Sequence, residues 1–555
     1  MLINKNSEKI YKYSYTTDVW KAISGKTVLY MLLAAVSVAL KMGFAFLVSE
    51  IVDGAINFEM TRLQRLFFFL ILFLVVRYVT SRLYSRVNFA IIEQARSYLR
   101  EKLVRHFLRL PLHLGQKFEN YENLVVTNVD MVIDDYYKSI LDLAENCFTF
   151  AVALVILVQT NLFIALNILI FAALQIVIPR VYSQRLSRTR KQYSEVMDRH
   201  YKILREFARI RPLFYSEALV EREEKLYGET SKELQDAARE KDSVGANMRI
   251  LTFVLSQFMY LSTMILGAYF AGQGYMSVGM VVAASQFMNY ITAPLSGIIS
   301  DLGMIRASTV ARDKIQEIFH LPQEGEDPAR RFSGVSTERK ILELHHISWM
   351  PKEKSVRILD DISLSVNREE KILVIGESGA GKSSLAKIIT REILPSEGSV
   401  LLAGRELNGL DDSAIHSQLS FLPAQPLVFD GTVGENISLC GKDSEAKKSR
   451  MLQQFGMHMD LHQKADQCSL GELQRICVIR TLLERRPLIV ADESTAHLDR
   501  ENQKSVENML LSSESALVYI AHNYNREMMN RFDRVLELKN GRIVYDGKPQ
   551  MYRFS

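Results

Sequence analysis

Cysteine is scarce in this chain of 555 residues, where only Cys147, Cys440, Cys468 and Cys477 occur. Cys147 lies in an apolar run, the others fall in the second half, and no spacing among them suits a metal. Neither a structural disulfide nor a zinc centre is expected. Strong charge of either sign is lacking as well. Against 63 Asp and Glu stand 68 Lys and Arg, a formal net charge of +5, too slight for the basic footprint of a nucleic-acid binder. No cleavable leader is visible either: the first 26 residues are polar, aromatic and charged, with Lys5, Glu8, Lys9, Lys12, Asp18, Lys21 and Lys26. The first apolar run is expected to stay in the mature chain.

What the sequence does have is length and long apolar runs. A chain of this size should hold two or more cores. Its mean hydropathy, near zero overall, averages an apolar half up to about Ser300 with an ordinary soluble half after it. Six windows approach the length of about 20 apolar residues that crosses a bilayer as a helix: Val28 to Val52, Leu63 to Leu83, Leu143 to Val158, Leu162 to Ile178, Ile250 to Phe270 and Val278 to Ile299. Only Gln159-Thr160-Asn161 separates the third from the fourth, which predicts a tight helical hairpin. Polar stretches of helical composition, such as Arg180 to Lys241, are too charged for lipid. The segment Arg82 to Lys138 carries Arg86, Arg96, Arg100, Lys102, Arg105, Arg109 and Lys117, whereas the short turns Gln159 to Asn161 and Gly272 to Ser277 carry no Lys or Arg. The positive-inside rule thus places the long stretches and both termini in the cytosol. Lys41 falls near the middle of the first window, where a lone ammonium costs about 2.5 to 3.5 kcal/mol. It should face the bundle interior or a water-filled cavity, touching a substrate or else snorkelling or paired structurally.

A charged linker containing Gly and Pro, roughly Arg306 to Lys340, divides the halves, so a membrane domain (1–305), a linker (306–340) and an α/β domain (341–555) are expected. In the last of these, the apolar strand Ile372-Leu373-Val374-Ile375 feeds directly into Gly376-Glu377-Ser378-Gly379-Ala380-Gly381-Lys382-Ser383. That run fits the phosphate-loop pattern G-x-x-x-x-G-K-[ST] at every fixed position. Glycines let main-chain N–H groups curl around phosphates, and the following helix adds its positive end. Lys382 reaches the β/γ-phosphates, and Ser383 offers a hydroxyl to Mg²⁺. With glycine near ~7% of residues, a chance match in a chain this long has a probability of about 2%. A second strand, Leu488-Ile489-Val490-Ala491, ends in Asp492-Glu493. Asp492 is placed to hold the Mg²⁺ water shell and Glu493 to orient and deprotonate an attacking water.

With these motifs stand Ser494-Thr495-Ala496-His497-Leu498-Asp499 and Ile520-Ala521-His522, in the order and approximate spacing of ATP-binding cassette (ABC) nucleotide-binding domains. With its helical half, the chain resembles an exporter-type (type IV) ABC half-transporter over nearly its whole length. The resemblance implies a polytopic α-helical membrane domain of six transmembrane helices fused to an α/β P-loop NTPase, with ATP and Mg²⁺ as cofactors. It makes Gly376, Glu377, Ser378, Gly379, Ala380, Gly381, Lys382, Ser383 and Ser384 the nucleotide cradle, Glu493 the catalytic base and His522 the switch histidine at the γ-phosphate. Ala496 to Asp499 would cross to a second subunit. Segments near Leu110 to Phe118 and Arg211 to Ser216 would dock the membrane domain on the ATPase domains.

Four departures from the family pattern point one way. The signature LSGGQ, which closes on the γ-phosphate of the opposite subunit, reads Cys468-Ser469-Leu470-Gly471-Glu472 here. Ser469 and Gly471 are kept, but Leu470 replaces the first glycine and obstructs close backbone approach. The family's Mg²⁺-contacting glutamine falls on Ala424, with Gln425 one place late. Pro351 takes the place of the usual adenine-stacking aromatic, leaving Trp349 as its substitute. Only 33 positions separate Asn436 from Ser469, so the helical subdomain is short. An intact base beside an eroded signature resembles one member of a heterodimeric exporter, with a homodimer of weak sites as the alternative. The expected function is ATP-driven export or flipping of a small molecule, peptide or lipid across a bacterial plasma membrane. Import of a siderophore-like chelate and a regulatory subunit with little turnover are the rival readings. About 26 residues before the first window leave no room for an N-terminal peptidase domain, which counts against leader-cleaving exporters.

Overall fold

The computed structural model describes residues 15–115, 121–211, 217–323, 339–351, 356–439, 441, 443–495, 498–522 and 524–553. The segment Arg211 to Ser216, apart from Arg211 itself, and the residues Phe118, Cys440, Ala496 and His497 therefore lie outside it. Described residues up to Leu103 together with 122–317 form one compact unit. Those of 104–121 together with those from Ile318 onward form a second.

The first unit is helical. Its elements are α1 (Tyr15–Ile56) and α2 (Met60–Phe107), then, beyond the short helix α3 (Leu112–Gly115) of the second unit, α4 (Tyr121–Thr160), α5 (Leu162–Ile210), α6 (Glu217–Gly272), α7 (Val278–Ala307) and α8 (Thr309–Phe319). Among the described residues, five helices are long and apolar enough to cross a membrane: α1, α2, α4, α5 and α6. At ~1.5 Å per residue, the 48 residues of α2 run far past a hydrocarbon layer of ~30 Å. The polar stretches are thus continuations of the apolar helices. Val278 to Ile299 falls in α7, which is not among those five; its Ser285, Phe287, Met288 and Ile291 are buried, whereas Asn289 and Ser296 are exposed.

Local chemistry fixes the turns. Asn161 leaves the helical region (φ −165°) and its side chain accepts from the N–H groups of Phe163, at 2.9 Å, and Ile164, at 3.2 Å, capping α5 and closing the expected hairpin. Ser277 caps α7 through the Met280 N–H, and Asp53 of α1 accepts from both the Ser277 hydroxyl and the Gly279 N–H. A Cβ on Gly279 would sit 2.1 Å from the Ser49 carbonyl oxygen, so the α1 and α7 backbones touch only because that residue is glycine. Ala45, Ala153, Ala165, Ala283 and Ala284 interleave with Val38, Leu157 and Phe287 in the core, whereas Phe67, Phe68 and Phe69 stay exposed on α2. Lys41 is paired: its ammonium lies 2.9 Å from Glu145 on α4, and the other Glu145 oxygen accepts from Tyr84 of α2, which is 2.7 Å from Tyr30 of α1. This network supplies the partner that an intramembrane ammonium requires.

The second unit holds two sheets. One is antiparallel, ordered β2-β1-β4-β5 from β1 (Lys340–Trp349), β2 (Leu359–Asn367), β4 (Glu397–Leu402) and β5 (Arg405–Glu406). The other is ordered β10-β9-β3-β8-β7-β6 from β3 (Lys371–Gly376), β6 (Leu419–Leu422), β7 (Leu488–Asp492), β8 (Ala516–Ile520), β9 (Arg534–Lys539) and β10 (Arg542–Gly547). It is parallel except for β10, which returns on β9 through Asn540-Gly541, both with positive φ. Alternation divides its core: Ile372, Val374, Leu488, Val490, Val518 and Ile520 face one layer, and Leu373, Ile375, Ile489, Leu517 and Tyr519 face the other. Burial on both faces is why these strands read as unbroken apolar runs.

Candidate active site

Three neighbouring strands, β3, β8 and β7, end on the same side of the parallel sheet, and each carries one expected motif at its carboxyl end. After β3 the chain turns through Gly376 (φ +150°), Gly379 (φ +83°) and Gly381 (φ +101°) into α9 (Lys382–Ile389). Side chains are excluded there for physical reasons. A Cβ on Gly376 would lie 2.2 Å from the Leu538 carbonyl oxygen, and one on Gly381 would lie 2.7 Å from the Leu359 side chain. No side chain caps α9, so its first N–H groups and positive end face the loop, the arrangement that binds phosphate.

Lys382 is nearly buried and curls back, donating to the carbonyls of Gly376 at 2.7 Å and Glu377 at 3.0 Å. Ser383 donates to Asp492 at 3.3 Å, which brings the two expected Mg²⁺ groups together. Burial pushes the Asp492 carboxyl above the usual carboxylate range, with the Ser383 hydroxyl and Lys382 acting the other way. Among the described residues no group of three or more His, Cys, Asp or Glu could hold a metal. Mg²⁺ commonly needs only one or two carboxylates when phosphates complete its shell, so Ser383 with Asp492 fits it.

Glu493 follows at φ +50°, a conformation costly for a side-chain-bearing residue, pinned by its N–H donating to the Ile520 carbonyl at 3.0 Å. A cavity of about 250 Å³ is lined by Ile358, Ser378, Gly379, Gly381, Lys382, Ser383, Ser384, Glu493 and His522. The candidate base and the candidate switch residue therefore line the same cavity as the phosphate loop. Ile358 was not foreseen. It is joined to Trp349, since its N–H donates to the Trp349 carbonyl at 2.9 Å, while the Trp349 ring packs on the core. Gln425 is exposed and is not part of the cavity lining; the neighbouring Ala424 carbonyl accepts from Gln474 of the signature helix at 3.4 Å.

Beyond Asp492-Glu493, Thr495 is buried and 2.7 Å from the Tyr519 hydroxyl, and Asp499 caps α14 (Arg500–Leu511) through the Asn502 N–H at 2.9 Å. The helical subdomain is small: α11 (Val433–Ile437) and α12 (Glu445–Gln454) precede the signature helix α13 (Leu470–Glu484), while α10 (Asp412–Gln418) lies before β6. Ser469 caps α13, and Glu472 completes a capping box: its carboxylate takes both the Ser469 N–H and the Ser469 hydroxyl, each at 2.8 Å. These hydrogen bonds hold the Glu472 carboxyl below the ordinary range. Leu470 stands 47% exposed at the helix start.

A parallel sheet that brings a phosphate loop, an Asp-Glu pair and a histidine to one edge, in a chain with a bundle of membrane-length helices, defines a membrane protein with a P-loop ATPase domain. Comparison with known proteins makes the class specific. The ABC transporter transmembrane region matches residues 27–295 and the ABC transporter family matches residues 359–496, so the chain belongs to the ABC transporter family. It is 28% identical over 298 residues to the transport/processing ATP-binding protein ComA of Streptococcus pneumoniae, 51% of this chain and 41% of that one. It is 24% identical over 464 residues to the lactococcin transport/processing ATP-binding protein LcnC-like of Lactococcus lactis, 80% of this chain and 63% of that one. The chain thus spans about two fifths to two thirds of the length of these curated relatives. Its fold matches the structure of a bacterial Atm1-family ABC exporter with ATP bound, with a TM-score of 0.77 and 18% identity over 96% of both chains.

Proposed function

We propose that the chain is an ATP-hydrolysing ABC half-transporter that exports its substrate by alternating access, working as a dimer and preferentially beside a different, complementary half. The observation that carries the reading is the cavity at the carboxyl ends of β3, β7 and β8, lined by the phosphate loop, Glu493 and His522. The phosphate-loop amides and Lys382 bind and orient the triphosphate. Ser383 and Asp492 would hold Mg²⁺, which when bound would offset charge on the phosphate oxygens. Glu493 holds the attacking water and accepts its proton, and His522 contacts the γ-phosphate. Ser384 completes the cradle, Trp349 would lie beside the adenine through its main-chain bond to Ile358, and Gln425 would be a further oxygen donor to Mg²⁺. Six spans, with α7 as the sixth beside the five longer apolar helices, would leave both termini and the ATPase domain in the cytosol of a bacterial cell.

Preference for a heterodimer follows from the signature. Leu470 and the Glu472 carboxylate occupy the N-terminus of α13, where Ser469 and Gly471 would otherwise meet a partner's γ-phosphate. The composite site that this helix closes is the weak one, and the strong one uses this chain's own phosphate loop with the partner's signature. Purifying the full-length chain from its native membranes tests this. A second half-transporter with an unbroken signature should accompany it in a 1:1 ratio and raise ATP turnover severalfold. Equal turnover by the chain alone would contradict the asymmetry.

A further inference from the structure

The helix that follows the phosphate loop ends in an unusual way. Arg391, just past α9, adopts φ +57°, the left-handed conformation that glycine supplies without strain at helix ends. Its side chain is only 4% exposed. The guanidinium donates to the carbonyls of Leu407, at 3.4 Å, and Leu410, and to Asp412 Oδ1 at 2.7 Å. The other Asp412 oxygen, Oδ2, accepts from the N–H of Leu112, the first residue of α3, at 2.7 Å. All of these residues belong to the second unit, and α3 follows α2 after four residues. One carboxylate therefore joins the far end of the phosphate-loop helix to the segment that continues a membrane-length helix, 300 positions away in sequence.

We propose that Asp412, held by Arg391, is the positioning residue through which nucleotide at the phosphate loop is felt at α3. Both oxygens are needed. Asparagine has a single acceptor and would turn its amide toward one of the two donors. Strain at Arg391 supports the assignment, because a glycine there would relieve the backbone but surrender the guanidinium. The inference rests on the proposed ATP-driven cycle and concerns only how binding is transmitted.

Hydrogen exchange of the α3 amides in the full-length protein in lipid nanodiscs, with and without Mg-ATP, tests it. In the wild type, Mg-ATP should slow exchange at His113 to Gly115 by about fivefold or more. Asp412→Asn should abolish that response while ATP affinity stays within about twofold of wild type. If Asp412→Asn speeds exchange equally in both states and leaves the ATP-induced ratio unchanged, the residue is merely structural and the inference falls. Should that variant fail to fold, Leu112→Pro removes the same donor without altering the ATPase sequence, and proline is tolerated at the first helical position. A wild-type ATP response retained in Leu112→Pro overturns the inference as well. Failure of the wild type to bind Mg-ATP would instead strike at the proposed function.

Discussion

Two helices of the ATPase unit begin at glycine- and serine-bearing loops of similar look, yet their N-termini are built for opposite ends. At α9 the cap position is Gly381, no side chain fills it, and the preceding loop supplies amides and Lys382. At α13 the cap is Ser469, and the chain's own Glu472 occupies both Ser469 donors. A helix N-terminus attracts anions, so the difference is whether the anion comes from the nucleotide or from the protein. Within one domain, the first end is left without a side-chain cap and the second carries a carboxylate of its own.

The largest effect is expected at the chemistry of the first end. Glu493→Gln should leave ATP binding intact and lower turnover by about 10² to 10⁴-fold, measured as phosphate release from the reconstituted complex. Undiminished turnover would remove Glu493 from the mechanism.

A smaller effect is expected at the second end. Glu472→Gln can keep the capping box, since glutamine serves at that position too, but it removes the negative charge. Combined with Leu470→Gly, it should strengthen ATP retention at the site closed by α13 by about three- to tenfold, read from nucleotide trapped per complex. No change would mean that the signature is weak for another reason.

The smallest effect concerns stability. Folding raises the Asp492 carboxyl above its unfolded value chiefly by burial, so the native state favours the protonated form. That contribution is complete below the ordinary carboxylate range and is lost as pH rises through the folded value. Without nucleotide, Asp492→Asn should therefore raise the melting temperature at neutral pH and give no gain at acidic pH, while turnover collapses. A lower melting temperature at neutral pH would show that Ser383 and Lys382 outweigh burial.

Much of the first end was legible in the sequence, because a phosphate loop is contiguous and its strand and helix flank it directly. Asp492 and Glu493 could be assigned from a strand end, and parallel order then brought them to Ser383. The helical hairpin at Gln159 to Asn161 was readable for the same reason, since Asn161 acts on residues two and three positions away. Contacts set by tertiary packing were not readable. Lys41 finds Glu145 104 positions later, and Asp412 finds Leu112 across 300. Ile358, in the lining of the cavity, carries no chemical signal at all. Glu472 is different: Ser469 followed three residues later by Glu is a capping-box pattern visible in the sequence, hidden only by comparison with a signature that ends in glutamine.

Equilibrium binding of Mg-ATP to the full-length chain in lipid, alone and with its co-purified partner, decides whether the loop around Lys382 grips nucleotide. Saturable binding that weakens about 10- to 100-fold in Lys382→Ala is the expected result, the loss of a charge-assisted grip on phosphate. Binding unaffected by that substitution, or none in either preparation, would contradict it.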